Sequence, residues 1–271
     1  MKQNVLLNVP LKDRKITAVV TKVLFIILVL VVWQAITGKR DGDEFTLIPS
    51  ISQIAVSFWD GIVTGEIVTH LLYSLKLIGI GILIGVVLAF LLTALYMVVP
   101  LFSHVLDVIL TIMHPLPGIA LLPIVMLVVG LGAKAIIIII VHSILWPIIV
   151  NAVTGFKSVP KTQLELGRNL GMGEFKLVYS VMIPNAFPYI LSGLKIAWSR
   201  SWRALVAAEM VFGATGVAGG LGWYIYKKRY LMEVPPVFAG LVVIIIVGMI
   251  VDEVLFRQLE KNTVIKWGMS K

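Results

Sequence analysis

The chain contains no cysteine among its 271 residues. This absence excludes disulfide bonds, thioether-linked haem and zinc sites built on thiolates. Charged residues are scarce as well, at 14% of the chain, whereas 59% of the residues are hydrophobic and the mean hydropathy is +1.01. A soluble domain of this length needs more polar surface to cover its core. The composition therefore indicates an integral membrane protein.

Several motifs that carry chemistry are also absent. The sequence has no GxxxxGK[ST] phosphate-binding loop and no HExxH metal motif. It has no nucleophile elbow and no pair of acids that suggests catalysis. We therefore predict a chain that is not an enzyme, that has no catalytic residue and that binds no metal. The net charge of +9 would suggest nucleic acid in a soluble protein, but membrane topology explains it here, so no nucleic-acid partner is expected.

Long apolar runs predict about six transmembrane helices. A span of ~30 Å of hydrocarbon needs ~20 residues of helix, and the runs lack the alternation of barrel strands. The predicted spans cover residues 16–37, 73–99, 105–132, 134–153, 189–212 and 237–256. The first run could also be a cleaved signal peptide, but no small-residue cleavage site follows it, so we predict a retained anchor. The third is broken by HPLPG at 114–118. The prediction is an all-α integral membrane protein.

The predicted domains follow from these spans. Residues 1–15 and 257–271 form polar tails on either side of a transmembrane domain over 16–256, and residues 38–72 form a polar connection inside it. Thirteen Lys and Arg lie in or next to the tails and in the loop at 155–188, against six in the opposite loops. The positive-inside rule therefore places both termini and that loop in the cytoplasm. The basic run at 227–229 is the exception to this topology.

One polar segment, LELGRNLGMGEFKLVYSVMIP at 164–184, separates two of the apolar runs. Thr162 and Glu165 have the spacing of a capping box, which predicts a helix that starts there. The glycines of Gly171-Met172-Gly173 predict a turn, and a second helical stretch follows until Pro184 closes it. The sequence predicts a helix, a turn and a helix on the cytoplasmic side, a surface that suits docking into another protein.

The spacing of this segment resembles the EAA loop of ABC importer permeases, a pattern of Glu-Ala-Ala, three residues, Gly, nine residues and Ile-x-Leu-Pro. Glu165, Gly171 and Pro184 stand in register, with Val181 and Ile183 as conservative replacements. Leu166 and Gly167 depart from the alanines of the pattern. The resemblance extends from about residue 60 to the C-terminus and is nearest to the nitrate, sulfonate and taurine branch. HPLPGIALLPIVMLVVGLG (114–132), GLKIAWSRSWRALVAAEM (193–210) and GLGWYIY (220–226) support it.

The resemblance implies a coupling loop that sits in a cleft of a cytoplasmic ATPase subunit. In this chain the loop would consist of Glu165, Leu166, Gly167, Arg168, Gly171, Met172 and Pro184. ATP and Mg²⁺ would bind to the ATPase, so no cofactor is expected on this chain. A second permease copy, expected to be identical, and an external substrate-binding protein would complete an importer in the lipid of the bacterial inner membrane.

Charges inside the predicted spans are candidate pathway residues, because a charge at the bilayer centre costs ~2.5–3.5 kcal/mol and usually faces a cavity or a partner. Arg200 and Arg203 would attract an anion, with Glu209 as partner or gate. The alternative is an internal ion pair that fixes helix packing. The other tentative pathway residues are His114, Trp198 and Trp202, whereas the remaining three histidines are expected to have no role.

The substrate stays open between two classes. The branch and the two arginines favour a small organic anion such as a sulfonate or taurine, or nitrate, but related permeases also serve thiamine precursors and other heterocycles. A self-contained secondary transporter or channel is the rival hypothesis, and an intramembrane enzyme lacks a catalytic set. The cluster at 227–229 would either meet an acidic binding protein or be a solvated charge run.

Overall fold

A computed structural model describes residues 11–38, 48–213 and 219–266, and nearly all of them are helical, with no strand among them. Five helices in the described ranges are long and apolar enough to cross a membrane, and a bent pair of helices makes up to six. The prediction of an all-α protein with about six spans is confirmed.

The helices follow one another with short connections. In chain order they are α1 (Leu11–Thr37), α2 (Ile51–Val63), α3 (Glu66–Val98), α4 (Pro100–Met113), a 3-10 turn (Gly118–Leu121), α5 (Leu122–Val129), α6 (Ala133–Lys157), α7 (Lys161–Asn169), α8 (Glu174–Leu177), a π-helical segment (Val178–Met182), α9 (Ile183–Gly213), α10 (Leu221–Tyr230), α11 (Val234–Ile250), a second π-helical segment (Val251–Phe256), α12 (Arg257–Glu260) and a third (Lys261–Ile265).

The predicted polar connection at 38–72 is wrong over its second half. A capping box at Ser50 and Gln53 starts α2, and α3 begins at Glu66. The acidic stretch at 41–44 lies outside the described residues. Helix α1 begins at Leu11, inside the predicted N-terminal tail, whose residues 1–10 lie outside the described ranges, as do 267–271 of the C-terminal tail.

Helix α6 is the centre of the bundle and packs most extensively against α9 and α3. Gly81 and Gly85 of α3 face Ile140 and Ile144 of α6, and a Cβ at Gly85 would come within 2.9 Å of the Ile144 side chain. The absence of a side chain there lets the two helices approach closely, as expected for small residues between membrane helices. These isoleucines belong to the fully buried core, which extends to Leu205 on α9.

The prediction that Pro184 closes a helix is wrong. Residues 174–212 form one continuous span that includes Pro184 and Pro188. Just before Pro184, residues 178–182 are π-helical, and the Ile183 N–H donates to the Val178 carbonyl, one residue farther back than in an α-helix. A proline removes a donor and crowds the preceding turn, and the wider turn precedes it directly. The helix therefore runs on into the membrane span.

The predicted capping box at Thr162 is also wrong. Helix α7 begins at Lys161, its N-cap is Pro160, and no side chain caps it. The sequence spacing matched the motif, but the proline had already fixed the start of the helix one residue before Thr162.

Candidate functional site

The third predicted span is broken where the prolines predicted it. Helix α4 ends at Met113, and the axis turns by 91° before the 3-10 turn and α5 continue. Pro115 and Pro117 lack backbone donors, so the helical ladder cannot be maintained across the break. The break lines a cavity of about 460 Å³ together with the middle of α6 and with α9.

Arg200 and Arg203 of α9 both line this first cavity. Arg200 donates from Nη1 to the backbone carbonyl of His114, 3.3 Å away, which ties α9 to the break. Arg203 donates from Nε to the Ser199 carbonyl one turn earlier, at 3.0 Å. The structure thus brings together His114 and the two arginines, three of the predicted pathway residues.

Two residues that the sequence did not single out line the same cavity. His142 and Trp146 lie one turn apart on α6, with ring centroids 5.8 Å apart in an edge-to-face arrangement. Both ring nitrogens of His142 and the indole nitrogen of Trp146 are buried without a hydrogen-bond partner in the part of the chain described here. His114 Nδ1 is in the same condition.

A second cavity of about 470 Å³ adjoins the first, and Arg200 and Arg203 line both. Lys195, Ser199 and Arg203 follow one another at intervals of four residues, which places them on one face of α9. Asp252, on the π-helical segment after α11, faces the same space. The regular spacing is a signal that could have found Lys195 and Ser199 in the sequence.

Lys195, Arg200 and Arg203, hereafter the α9 cations, have no carboxylate partner among the described residues. The ion pairs there within 4 Å involve other groups, at Arg168, Lys227, Lys228 and Arg257. At 1.5 Å per residue the α9 cations extend over about 12 Å of helix. Arg200 is half-buried, whereas Lys195 and Arg203 are exposed. This row of positive charge has no carboxylate partner in the described part of the chain, so an anion can approach it.

Glu209 does not pair with these arginines. Its side chain is 1% exposed, and its carboxylate accepts hydrogen bonds from the Ser74 hydroxyl, at 2.8 and 2.9 Å, and from the Gly222 N–H, at 3.0 Å. The Ser74 oxygen in turn accepts from the Leu221 N–H. The carboxylate therefore lies at the N-terminus of α10, where a negative charge is favourable, and it joins α3, α9 and α10.

Trp198 and Trp202 lie in the core and not along either cavity. Their rings stack 5.7 Å apart at 12°, both residues are buried, and Trp202 donates to the Ile244 carbonyl of α11. They lie one turn apart on α9, and both belong to the buried core. Their positions support packing.

The polar segment forms a compact turn between α7 and α8. Gly171 has a φ of +73°, a region that side chains rarely adopt, and the Met172 N–H donates to the Gly167 carbonyl. Arg168 pairs with Glu174 at 3.2 Å across the turn, and both are exposed. Glu165 and several apolar side chains are exposed on this segment, namely Leu166, Leu170, Phe175 and Tyr179.

The basic run at the end of α10, hereafter the α10 cations (Lys227, Lys228 and Arg229), is mostly paired. Lys228 contacts Glu233 at 2.8 Å and Glu66 at 3.1 Å, and Lys227 contacts Glu66 at 3.5 Å. Burial disfavours the charged amine, but the hydrogen bonds to the two carboxylates outweigh it and raise the pKa of Lys228. Two of these charges thus hold the ends of α3, α10 and α11 together.

Comparison with known proteins decides the family. Residues 81–263 match the family model described as the binding-protein-dependent transport system inner membrane component. The chain belongs to this family. It is therefore a permease subunit of an ABC importer, a multi-pass inner-membrane protein, and permease subunits of this family are not catalytic. ATPase and binding-protein partners follow from membership.

Individual relatives agree with the family. The permease is 27% identical to a putative aliphatic sulfonates transport permease protein of Bacillus subtilis, over 89% of this chain and 85% of the relative. It is 32% identical to a nitrate import permease protein of Leptolyngbya laminosa, over 67% of each chain. One chain in the crystal structure of an amino acid ABC transporter with histidines has a TM-score of 0.54 at 18% identity. The match covers 74% of the permease and 94% of that chain, which shows the same fold.

Proposed function

We propose that this permease moves a small anion past the α9 cations, through the two cavities that they line. The observation that carries the proposal is that Arg200 and Arg203 each face both cavities without a carboxylate within 4 Å in the described ranges. Arg200 is half-buried, and a charge in such a position is costly unless water or a ligand compensates it. Arg203 is exposed, so its charge is open to an approaching anion. An anion that passes from one cavity to the other stays next to a guanidinium throughout.

The sulfonate and nitrate relatives support an anion as cargo. Asp252 in the second cavity is the observation that favours the alternative, a cationic heterocycle such as a thiamine precursor. The first cavity has two arginines and no acidic side chain in its lining, so a cation would have to pass two like charges. The anion is therefore the better fit.

The segment around Gly171 is proposed to couple this movement to ATP hydrolysis. Glu165, Leu166, Gly167, Arg168, Gly171 and Met172 form its first part, and Pro184 lies in the helix that follows. The exposed Leu166 and Phe175 offer apolar contact to the cleft of an ATPase subunit, and the ionic groups around them are exposed. ATP and Mg²⁺ would bind to that subunit, and this chain would bind no cofactor.

The proposed assembly has two identical permease copies around one pathway, with both termini and the Gly171 segment in the cytoplasm. The excess of Lys and Arg on that side supports the orientation. A binding protein would deliver the anion on the opposite side, where α10 and the start of α3 lie. Closure of the ATPase subunits would move the two Gly171 segments and open the pathway outward, as in other alternating two-state devices.

Gly171 and Gly173 provide a matched pair to test the coupling. A Cβ at either position meets nothing within 4 Å, but only Gly171 has a positive φ. A β-branched residue there is strained, so Gly171→Val should lower recovery of the permease–ATPase complex and its ATP hydrolysis in lipid. Gly173→Val, with a φ of −65°, should behave as wild type. Equal behaviour of the two variants would contradict the coupling proposal.

Arg200→Gln tests the pathway. Loss of a charge-assisted hydrogen bond costs ~1.5–3 kcal/mol, which corresponds to a roughly 10- to 100-fold loss. ATP-driven uptake of the cognate anion into proteoliposomes, with ATPase and binding protein present, should fall by that factor. Unchanged anion uptake, or uptake of a cationic heterocycle in preference to anions, would overturn the proposal.

A further inference from the structure

Three side chains meet where the ends of α3 and α6 lie beside α4. The Lys157 ammonium donates to the Tyr96 hydroxyl at 2.6 Å, and that hydroxyl donates to Asp107 Oδ1 at 3.0 Å. A tyrosine hydroxyl can both donate and accept, and this one does both. In the described part of the chain no direct ion pair within 4 Å joins Lys157 to Asp107. The hydroxyl therefore links a cation on α6 to an anion on α4 by two charge-assisted hydrogen bonds.

Tyr96 is the buried member of this group, hereafter the Tyr96 relay (Tyr96, Asp107 and Lys157). Its side chain is 5% exposed and belongs to the hydrophobic core, whereas Lys157 and Asp107 are exposed. The ammonium of Lys157 also lies 4.7 Å from the centroid of the Tyr96 ring, a favourable cation–π position. Because the ring is packed in the core, the hydroxyl holds its two partners at defined positions.

The Lys157 end of the relay leads into the Gly171 segment. Lys157 is the last residue of α6, and α7 begins at Lys161. The connection between them is short and well held, since the Ser158 N–H and hydroxyl donate to carbonyls in the last turn of α6 and Val159 is buried. A displacement of α7 therefore reaches Lys157 directly.

The Asp107 end of the relay leads to the break that lines the first cavity. Helix α4 ends at Met113, about 9 Å along the axis from Asp107, and the His114 carbonyl then accepts from Arg200. Leu106 is the one buried residue of α4. In the described ranges the side chains of α4 make one hydrogen bond to another helix, the bond from Tyr96. The relay is thus the polar contact that fixes α4 relative to α6.

We propose that Tyr96 is a positioning residue for transport, whose hydroxyl ties α4 to the end of α6 so that the break after α4 moves with the Gly171 segment. Arg200 lies on the span that continues from Glu174, on the other side of that segment. The Gly171 segment is therefore connected to both partners of the hydrogen bond between Arg200 and the His114 carbonyl, through α9 and through the relay. Without the Tyr96 hydroxyl the break would no longer follow the segment. This inference rests on the proposed coupling role of the Gly171 segment.

A fluorescent label on α4 tests the inference. The chain has no cysteine, so bimane can be attached at a single site through Ile112→Cys, a position that is 60% exposed and next to the end of α4. The labelled permease is assembled with a cysteine-free ATPase subunit in nanodiscs, and the probe is ATP with orthovanadate, so no transported solute is needed.

We expect ATP to change the bimane emission in the Ile112→Cys permease. Adding Tyr96→Phe keeps the ring and removes the hydroxyl, and because charge-assisted hydrogen bonds are lost the change should be about tenfold smaller. An emission that does not respond to ATP in the Ile112→Cys permease, or a response that Tyr96→Phe leaves undiminished, would overturn the inference.

Tyr189→Phe is the matched control. Tyr189 on α9 is 40% exposed, and its hydroxyl has no hydrogen-bond partner in the described part of the chain, so this variant should respond to ATP as wild type does. Recovery of the permease–ATPase complex should also stay at the wild-type level in Tyr96→Phe, because the relay lies outside the proposed docking surface. Loss of complex recovery together with the emission change would assign Tyr96 a structural role only and refute the proposal.

A double-mutant cycle shows whether Tyr96 acts through Asp107. Asp107→Leu is similar in size and removes the acceptor. If the relay works as one unit, the double variant should reduce the emission change no further than either single variant does. Additive losses would mean that the two residues act independently, against the proposal.

Gly171→Val in the same assay separates this inference from the proposed function. If Gly171→Val removes the emission change and Tyr96→Phe does not, the coupling role of the segment stands and the relay is refuted. If Gly171→Val and Gly173→Val both keep the wild-type change, the coupling proposal itself fails, and the relay fails with it.

Discussion

The α9 cations and the α10 cations lie on neighbouring helices and have opposite surroundings. Lys228 on α10 touches two carboxylates, at 2.8 and 3.1 Å, and its side chain is 15% exposed. Arg200 on α9 has a backbone carbonyl at 3.3 Å and no carboxylate within 4 Å in the described residues. The α10 cations thus hold helix ends together with charges from the chain itself, whereas the α9 cations leave their charge available to a ligand.

This difference separates two roles of basic residues in the permease, one in stability and one in transport. A cation whose counter-charge is built into the fold contributes to stability, and removing the counter-charge should unfold the protein more easily. A cation that lines a cavity without a counter-charge contributes nothing comparable to stability, and its removal should change transport. Each of the four experiments that follow changes one side of this contrast.

The largest effect is expected when an α9 cation is given its own counter-charge. Ala204 lines the first cavity one turn after Arg200, so Ala204→Glu places a carboxylate within reach of the guanidinium. A like charge next to the bound anion costs several kcal/mol, which is more than about 100-fold. Uptake assays should show this loss, and Ala204→Gln, of the same size but neutral, should lose far less. Similar losses of uptake in both variants would show that the added side-chain volume, and not the charge, causes the effect.

A smaller effect should follow from removal of a counter-charge at α10. Glu66→Gln leaves Lys228 with one carboxylate partner in place of two and removes the one that Lys227 contacts. Partly buried charged hydrogen bonds of this kind contribute ~1 kcal/mol, so the free energy of unfolding in detergent should fall by about that amount. Uptake should stay within about twofold of wild type. A loss of uptake as large as that expected for Ala204→Glu would contradict the distinction between the α9 cations and the α10 cations.

The pH dependence of that difference has a defined sign. The hydrogen bonds to Glu233 and Glu66 raise the pKa of Lys228 despite its burial, so the folded state holds this proton more tightly than the unfolded state does. The stabilisation is complete below the ordinary lysine pKa of ~10.4 and is lost as pH rises through the folded value. The stability difference between wild type and Glu66→Gln should be constant from about pH 6 to pH 9 and shrink above about 10.5. A loss of the difference near neutral pH would contradict this pairing.

The smallest effect is expected at Arg229. It is exposed and has no ion pair in the described part of the chain. Exposed substitutions of this kind usually change stability by less than ~0.5 kcal/mol, so Arg229→Gln should alter neither unfolding nor uptake. Reduced uptake only when the binding protein delivers the anion would instead identify Arg229 as a contact of that partner.

Hydropathy predicted the long helices well because burial in lipid demands long apolar runs. The predicted span at 134–153 became α6 at Ala133–Lys157, and the predicted break at 114–118 is the 91° bend. Helix α2 was missed because its 13 residues are too short for a span and include Gln53 and Asp60. The prediction that Pro184 ends a helix failed because a proline within a helical segment usually breaks it. The π-helical turn that precedes Pro184 cannot be predicted from single residues.

The sequence predicted the residues of the candidate site that lie on α9 but not those that lie on α6. Arg200 and Arg203 stand out as charges in an apolar run, and their positions in two cavities follow that signal. Trp146 and His142 carry no such signal, since aromatic residues are common in membrane helices and only the packing of α6 against α9 brings them to the arginines. Glu209 showed the reverse, because its charge predicted a pathway role and its contacts are those of a helix cap.

The unbroken helix from Glu174 to Phe212 gives the permease a lever arm. Glu174, at the turn next to Gly171, and Arg200, at the cavities, are 26 residues apart on it, or roughly 39 Å at 1.5 Å per residue. Tilting such an arm by about 5° around one end displaces the other by roughly 3 Å at this length, which is the length of one hydrogen bond. A tilt of this size would therefore be sufficient, by geometry alone, to break the hydrogen bond between Arg200 and the His114 carbonyl.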